Sequence, residues 1–322
     1  MLTVVLSNFN HGRFLRQSLG AIFAQTRPAD EVIVIDDAST DDSIAVIESC
    51  LVDRPQAQLI RNRRNAGVVR NMNYGIEIAR GTIIHFAAAD DITYPQLFER
   101  GMAVLERFPQ AALFSSRSDL IDEAGGLLGP VPAPSPIRVP GYVDAANVAE
   151  KLMRDDSWFM GNTSLFRRKM LREIGGFPEE LQGFTDGYVS RLLALKFGAC
   201  YSPEVLGAWR RMPGGMAWSQ ARSVEAAERL INLVEKRMAD ASGTFPPGYF
   251  ERWRGRHMFG VRRFNLIESR RLAINKGLLW KLWQILAEVV VTSWLFVTLR
   301  LCDLAAVAMR RWGSLKPSRF LD

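Results

Sequence analysis

The chain has 322 residues, of which 48% are hydrophobic and 23% charged. That composition excludes a disordered chain, a collagen-like repeat and a disulfide-stapled mini-protein, and the length is enough for about two domains. The net charge is +7, but 14 Lys or Arg against 5 Asp or Glu fall between Glu251 and Asp322, so the remainder is close to neutral. A uniformly basic nucleic-acid binder would not divide its charge this way, and no nucleic-acid partner is expected.

A basic tail that also carries tryptophan fits an anionic membrane surface. Cys50, Cys200 and Cys302 are far apart and odd in number. They make no metal-ligand pattern and point to a reducing, cytoplasmic compartment. The opening MLTVVLSNFN lacks the basic start and long apolar run of an export signal.

Residues 3–6 (TVVL) predict a buried strand. Phe14, Leu15, Leu19, Ile22 and Phe23 repeat at helical spacing and stop before Arg27-Pro28. EVIVI at 31–35 predicts a second strand, running into Asp36-Asp37-Ala38-Ser39-Thr40-Asp41-Asp42. Ile44, Ile47 and Leu51 predict the next helix, and residues 57–60 a third strand. Residues 65–79 read as a loop entering a helix that Gly81 ends, and 82–87 as a fourth strand running toward Asp90-Asp91. Strands alternating with helices predict an α/β fold with a mostly parallel sheet covered on both faces. Ligands of such sheets bind beyond the carboxyl ends of the strands, where both acidic pairs fall.

Past residue 113, the stretch Gly125–Gly141 holds Pro130, Pro132, Pro134, Pro136 and Pro140 and reads as a surface loop. Tyr188–Phe197 reads as a helix with Thr185 as its cap and Gly198 as its stop. From about Ser219 the pattern is helical nearly to the end, broken once at Pro246-Pro247-Gly248. Within it, Leu282–Leu299 has one formal charge, Glu288, with basic residues on both sides and Trp280, Trp283, Trp294 and Trp312 placed as interfacial anchors would be. Its length is near the lower limit for a membrane span. Three readings stay open: a helix lying in the membrane surface, a transmembrane span, and a helix packed in a core or on a partner.

The acidic pairs suit a nucleoside diphosphate. Its base and ribose need hydrogen-bond acceptors, which Asp36 or Asp37 would supply. Its phosphates need neutralisation, which a divalent cation on Asp90 and Asp91 would supply through hard oxygen ligands. The plainer reading is that Asp36, Asp37, Asp41 and Asp42 cap a helix and Asp90-Asp91 make a turn. Convergence at one edge favours the ligand. Neither GxGxxG nor GxxxxGK[ST] occurs, which argues against a Rossmann dinucleotide site and a P-loop. His11, His85 and His257 are isolated, and His85, inside a strand, reads as structural.

The run Val5-Leu6-Ser7-Asn8-Phe9-Asn10-His11, then Leu15, Leu19, Gln25-Thr26 and the block Glu31–Ser43, resembles the family 2 glycosyltransferases. So do Asn65-Ala66-Gly67 with Asn73, Gly75, Ala79, Arg80 and Gly81, followed by Phe86–Asp91. A looser likeness covers Gly161-Asn162, Gly175-Gly176-Phe177, Thr185-Asp186, Arg191-Leu192 and Gly198, then Trp209-Arg210-Arg211 with Gly214-Gly215. It fades after about residue 220.

The resemblance implies a GT-A fold and transfer of a sugar from a nucleotide-sugar donor, by default a UDP-sugar, with inversion. It maps the donor site onto Ser7, Phe9, Asn10, Asp36, Asp37, Ser39, Asn73 and Asp90, and the Mn2+ or Mg2+ motif onto Ala88-Ala89-Asp90-Asp91. Arg210 or Arg211 would neutralise diphosphate, and Asp186 would be the base. Two positions depart from the family pattern. Ala88 stands where the metal motif often begins with Asp, and Met212 where a histidine often follows the arginines.

Inverting transfer needs one base near the acceptor hydroxyl and no covalent nucleophile. Asp186 starts a helix, and a wall such as Phe184 or Tyr188 would raise its pKa. The competing reading is that Asp186 merely complements the helix dipole, with Glu179 and Glu180 as fallback bases. The proline-rich stretch and residues 209–217 are lid candidates.

The expected organisation is a nucleotide-sugar-binding half (1–120), an acceptor-binding half (121–218) and a helical, basic, membrane-associating region (219–322). The expected function is glycan or lipid-linked oligosaccharide synthesis for the cell envelope, on the cytoplasmic face of the membrane. The alternative is a catalytically impaired relative that binds nucleotide or glycan as a scaffold.

Overall fold

The structure is a computed structural model that describes residues 1–212, 223–241 and 243–273, with backbone alone from 264. Residues 1–262 form one compact unit; of a second, 263–322, only the helical backbone to Ala273 is described. The segment 282–299, its tryptophans and residues 213–217 lie outside the described residues. Among those described, no helix is long and apolar enough to cross a membrane.

In chain order the elements are β1 (Leu2–Asn8), α1 (Gly12–Phe23), β2 (Glu31–Asp36), α2 (Ser43–Leu51), β3 (Ala57–Arg61), α3 (Val68–Ile78), β4 (Ile83–Ala88), β5 (Ile92–Thr93) and α4 (Leu97–Arg107). There follow β6 (Leu113–Ile121), β7 (Leu127–Pro130), β8 (Gly141–Val143), α5 (Ala145–Arg154), β9 (Leu165–Arg167), α6 (Arg168–Glu173), α7 (Thr185–Phe197), β10 (Ala199–Arg210), α8 (Val224–Asp240) and α9 (Tyr249–Ala273).

One sheet runs in the order β3-β2-β1-β4-β9-β6-β10-β5. β3, β2, β1 and β4 are mutually parallel, β6 is parallel to β10, and the short β9 is antiparallel to both β4 and β6. The C-terminal ends of all the long strands therefore share one edge. Successive residues of β1 serve opposite cores, as the strand period of two requires. Val5 packs with Ile33, Ile35 and Phe86 under α3, α5, α7, α8 and α9. Leu2, Val4 and Leu6 pack with Val32 and Val34 under α1, α2 and α4.

Two local readings change. The proline-rich stretch is not wholly a loop: Leu127–Pro130 pairs antiparallel with β6 as an edge strand, where proline costs no ladder bond on its outer side. Thr185 does not cap α7 but lies within it, and its hydroxyl donates to the Pro178 carbonyl at 3.0 Å. Ser223 caps α8, its hydroxyl accepting from the Ala226 N–H at 3.1 Å. His85 is the structural residue expected. It is fully buried, its Nδ1–H donates to the Ser164 carbonyl at 2.9 Å, and burial pushes its pKa down to about 4.

Candidate active site

The edge is organised first around β1 and β2. Asn8 and Asp36 are register partners at the strand ends. The Asp36 carboxylate accepts from the Asn8 amide (2.8 Å), the Ser39 hydroxyl (2.7 Å) and the Ser39 N–H (2.9 Å). Ser39 Oγ in turn accepts from the Asn10 N–H, and Asn10 Oδ1 from the Thr40 N–H. Asn10 and Ala38 both sit at positive φ (55° and 64°), so this turn is tightly determined.

Asp37 is 2% exposed and clamps a second loop. One oxygen accepts from the Asn62 amide and the Ala66 N–H, the other from the Gly67 N–H, each at 2.8 Å. Burial opposes its charge, but these bonds outweigh it and hold the carboxyl below the usual range. Asn62 also donates to Asn71, which donates to Ser7 Oγ at 2.9 Å.

The sequence reading assigned Asp36 and Asp37 to a base and ribose. In the structure both carboxylates already accept from internal partners, three donors each. Asn73 is likewise spent: its amide donates to the Phe177 carbonyl and accepts from the Phe177 N–H, both at 2.8 Å. Phe9 and Asn10 stay exposed at this edge, and Ser7 is half-buried. Asn62 and Asn71 were missed. The signal was a poor helix former, Asn71, at a buried position of α3.

Asp37→Asn is expected to cost about 1–3 kcal/mol, because the new amide NH2 meets N–H donors. Because the folded pKa is depressed, the stabilisation is present above the unfolded carboxylate value and fades as pH falls through the folded one. Urea unfolding of both forms at several pH values checks this: the gap between them should close in acid.

Ala88, at the end of β4, is the register partner of Ser7. Asp90 and Asp91 follow, both half-buried. Asp91 Oδ1 accepts from the Arg210 N–H at 2.8 Å. Burial first, then the charge of Asp90, raise the Asp91 pKa against that bond and the Arg210 charge.

Arg210 turns inward. It is 2% exposed, and its guanidinium donates to the carbonyls of Asp90 (2.7 Å), Asp122 (3.1 Å) and Glu123 (2.9 Å) and to Gln17 Oε1 (2.6 Å), with its carbon 4.8 Å from the Phe14 ring centroid. Of the two arginines, Arg211 is the exposed one.

Two neighbouring carboxylates, the charge of Asp90 acting on Asp91, suit a hard divalent cation, which takes its remaining ligands from phosphate and water. Among the described residues, no group of three or more His, Cys, Asp or Glu could hold a metal by itself.

Asp186 lies against a short turn that also meets β5, the strand that follows the pair. β5 pairs with β10 at Gly207. A Cβ on Gly207 would lie 3.2 Å from the Ile92 carbonyl and 3.5 Å from Asn162 Nδ2. A Cβ on Gly161 would lie 2.8 Å from Asp186 Oδ2. The 3-10 turn Gly161–Thr163 thus meets Asp186 on one side and the β5–β10 pairing on the other, and glycine permits both close approaches.

Asp186 Oδ1 accepts from the Gly187 N–H at 2.7 Å. Burial raises its pKa, opposed by that bond and by the charge of Arg191. It borders a cavity of ≈ 560 Å³ whose described walls include Phe159, Phe184, Tyr188, Val234 and Trp253. The fallback bases are engaged elsewhere: Glu179 pairs with Arg70 at 3.0 Å and Glu180 with Arg237.

A profile for Glycosyl transferase family 2 matches residues 3–175. The chain belongs to that family. The E. coli protein YibD, an uncharacterized glycosyltransferase, is 34% identical over 103 residues, which is 32% of this chain and 30% of YibD. The S. aureus TarS structure with UDP-GlcNAc has a TM-score of 0.59 at 18% identity, over 72% of this chain and 65% of that one. The Pyrobaculum calidifontis mannosyltransferase PcManGT, in complex with GDP-Man and Mn2+, has a TM-score of 0.59 at 17% identity, over 98% of this chain and 88% of that one. These likenesses give the GT-A fold, and the family is one of glycosyl transferases; the chain spans only 30% of the length of YibD.

Proposed function

We propose that this glycosyltransferase moves a sugar from a UDP-sugar to a glycan or lipid-linked acceptor with inversion, in cell-envelope polysaccharide synthesis. The observation that carries the reading is Asp186: a carboxylate with a raised pKa, against the glycine turn that also meets β5, and bordering a largely apolar cavity. Asp186 takes the proton of the acceptor hydroxyl. The acceptor oxygen forms a bond to the anomeric carbon as the bond to the diphosphate oxygen breaks, and the nucleoside diphosphate leaves with the electron pair.

The donor lies against Ser7, Phe9 and Asn10, on a wall set by Asp36, Asp37, Ser39 and Asn73, and Asp90 reaches its phosphates. Arg211 is exposed where Arg210 is buried, and it is the arginine we assign to the diphosphate. A divalent cation arriving with the donor would be held by Asp90 and Asp91 and would neutralise diphosphate charge. Residues 1–120 serve as the donor half, 121–218 as the acceptor half, and 219–322 as the region that meets an anionic membrane face. The basic composition of 251–322 supports that last role.

Thermal unfolding against a panel of nucleotide sugars tests this, with Mg2+, Mn2+ or chelator. A donor at 100 times its Kd adds roughly 2.7 kcal/mol. One UDP-sugar should shift the transition, and chelator should remove the shift. Survival in chelator would make Ala88 the mark of metal independence; no shift with any donor would favour the scaffold alternative. The cation effect should weaken as pH falls, because a raised Asp91 pKa means protons compete for the site well above the usual carboxylate range.

A further inference from the structure

Arg191, on which the looser family likeness falls, joins Asp156, Tyr249 and Arg256 in a network that the reaction above does not account for. Arg191 lies on α7 and is 9% exposed; Asp156, before α6 in the chain, is 4% exposed. Arg191 Nη1 donates to the Gly187 carbonyl at 2.8 Å, and Nη2 to the Asp156 carbonyl at 2.6 Å. The N–H of the same Gly187 holds Asp186 Oδ1. One residue beside the carboxylate is therefore gripped from both sides, its N–H by Asp186 and its carbonyl by Arg191.

Asp156 Oδ2 is then fixed from α9, by the Tyr249 hydroxyl at 2.9 Å and by Arg256 Nη2 at 2.7 Å. It stands 3.7 Å from Arg191 Nε, which is buried and has no hydrogen-bond partner. A cation and an anion this buried are retained at a desolvation cost, and packing alone would be served as well by apolar side chains.

We infer that Arg191 is a positioning residue for Asp186, that Asp156 holds it in place, and that Tyr249 and Arg256 make α9 part of the reacting centre. The inference rests on the reading of Asp186 as the base. It places a helix beyond the family-matched residues, 3–175, in direct support of the chemistry.

The electrostatic consequence has a definite sign. Around Asp186 the charged or titratable groups are Arg191 and Tyr188 from α7, Asp156 from the preceding loop, and Arg256, Tyr249 and His257 from α9. Burial pushes the His257 pKa down to about 4, so it is neutral when the base works. Tyr188 and Tyr249 are raised by burial and stay neutral too. Arg191 favours the ionised carboxylate; Asp156 partly cancels Arg191; Arg256 partly cancels Asp156.

The test is a carboxyl-carbon NMR titration of the full chain with labelled aspartate, the Asp186 signal assigned by its loss in Asp186→Asn. Arg191→Gln should move the Asp186 titration up by about one pH unit, and Arg191→Lys should restore much of it. Asp156→Asn should move it down, and Arg256→Gln, at a half-exposed position, up. A group that merely packs would not give shifts of opposite sign. An Asp186 titration unmoved in folded Arg191→Gln, or in Arg256→Gln where Arg191→Gln does not fold, would overturn the inference. Full transfer activity in Asp186→Asn would instead overturn the base reading, and the NMR shifts would still stand.

Discussion

Replacing Asp186 by Asn lowers kcat for transfer by roughly 10²–10⁴ and leaves donor affinity unchanged. The amide has the carboxylate's shape and can keep the Gly187 N–H bond, so the first turn of α7 is undisturbed. It cannot take a proton. The donor contacts proposed above lie at the ends of β1, β2 and β4, so nucleotide-sugar binding measured by calorimetry should match the parent.

Two pH effects follow from the raised pKa of Asp186. First, kcat/KM for the parent should fall as pH drops through a value above the usual carboxylate range, because the protonated acid accepts nothing. Second, the ionised carboxyl costs stability as pH rises past its unfolded value, since the folded state then holds protons the unfolded state has lost. Asp186→Asn should therefore be as stable as the parent at neutral pH, or more so. A variant retaining more than about a tenth of parental transfer would sink the assignment.

Arg210→Lys is expected to cost about 3–5 kcal/mol of stability in urea unfolding. The planar guanidinium satisfies three carbonyls and the Gln17 side chain at once, and stacks near Phe14. A lysine ammonium has neither the fork nor the reach, and it strands those oxygens in a buried place. Because the Asp90 carbonyl is one of them, the acidic pair should loosen too, and donor binding would weaken as a secondary effect. Arg211→Ala should behave in the opposite way, with near-parental unfolding and weaker donor binding. If Arg210→Lys unfolds like the parent but binds donor poorly, Arg210 is the diphosphate residue after all.

Much of the scaffold was readable from local pattern. The β-branched runs at 3–6 and 31–35 and the stripe Leu15, Leu19, Ile22 became β1, β2 and the buried face of α1. β7 and β9 were missed because LLGP and LFR are too short for a period to show, and their neighbours in the sheet pair them. The stop at Gly198 was correct, and the cap at Thr185 was not, because the Pro178 carbonyl competes for that hydroxyl.

The sequence by itself determined the alternation of strands and helices, and through it a mostly parallel sheet with Asp36-Asp37 and Asp90-Asp91 at one edge. Periodicity is a local property, and parallel strands leave their carboxyl ends on one side. Only the tertiary structure decided which polar groups are spent there. Asp37 is used by Asn62, Ala66 and Gly67, Asn73 by Phe177, and Arg210 by Gln17, 193 residues away. A buried donor or acceptor must find a partner, and partners this far apart in sequence meet only when the chain has closed around them. The same closure that occupied those side chains put Asp186 against the turn that meets β5, the strand after Asp90-Asp91.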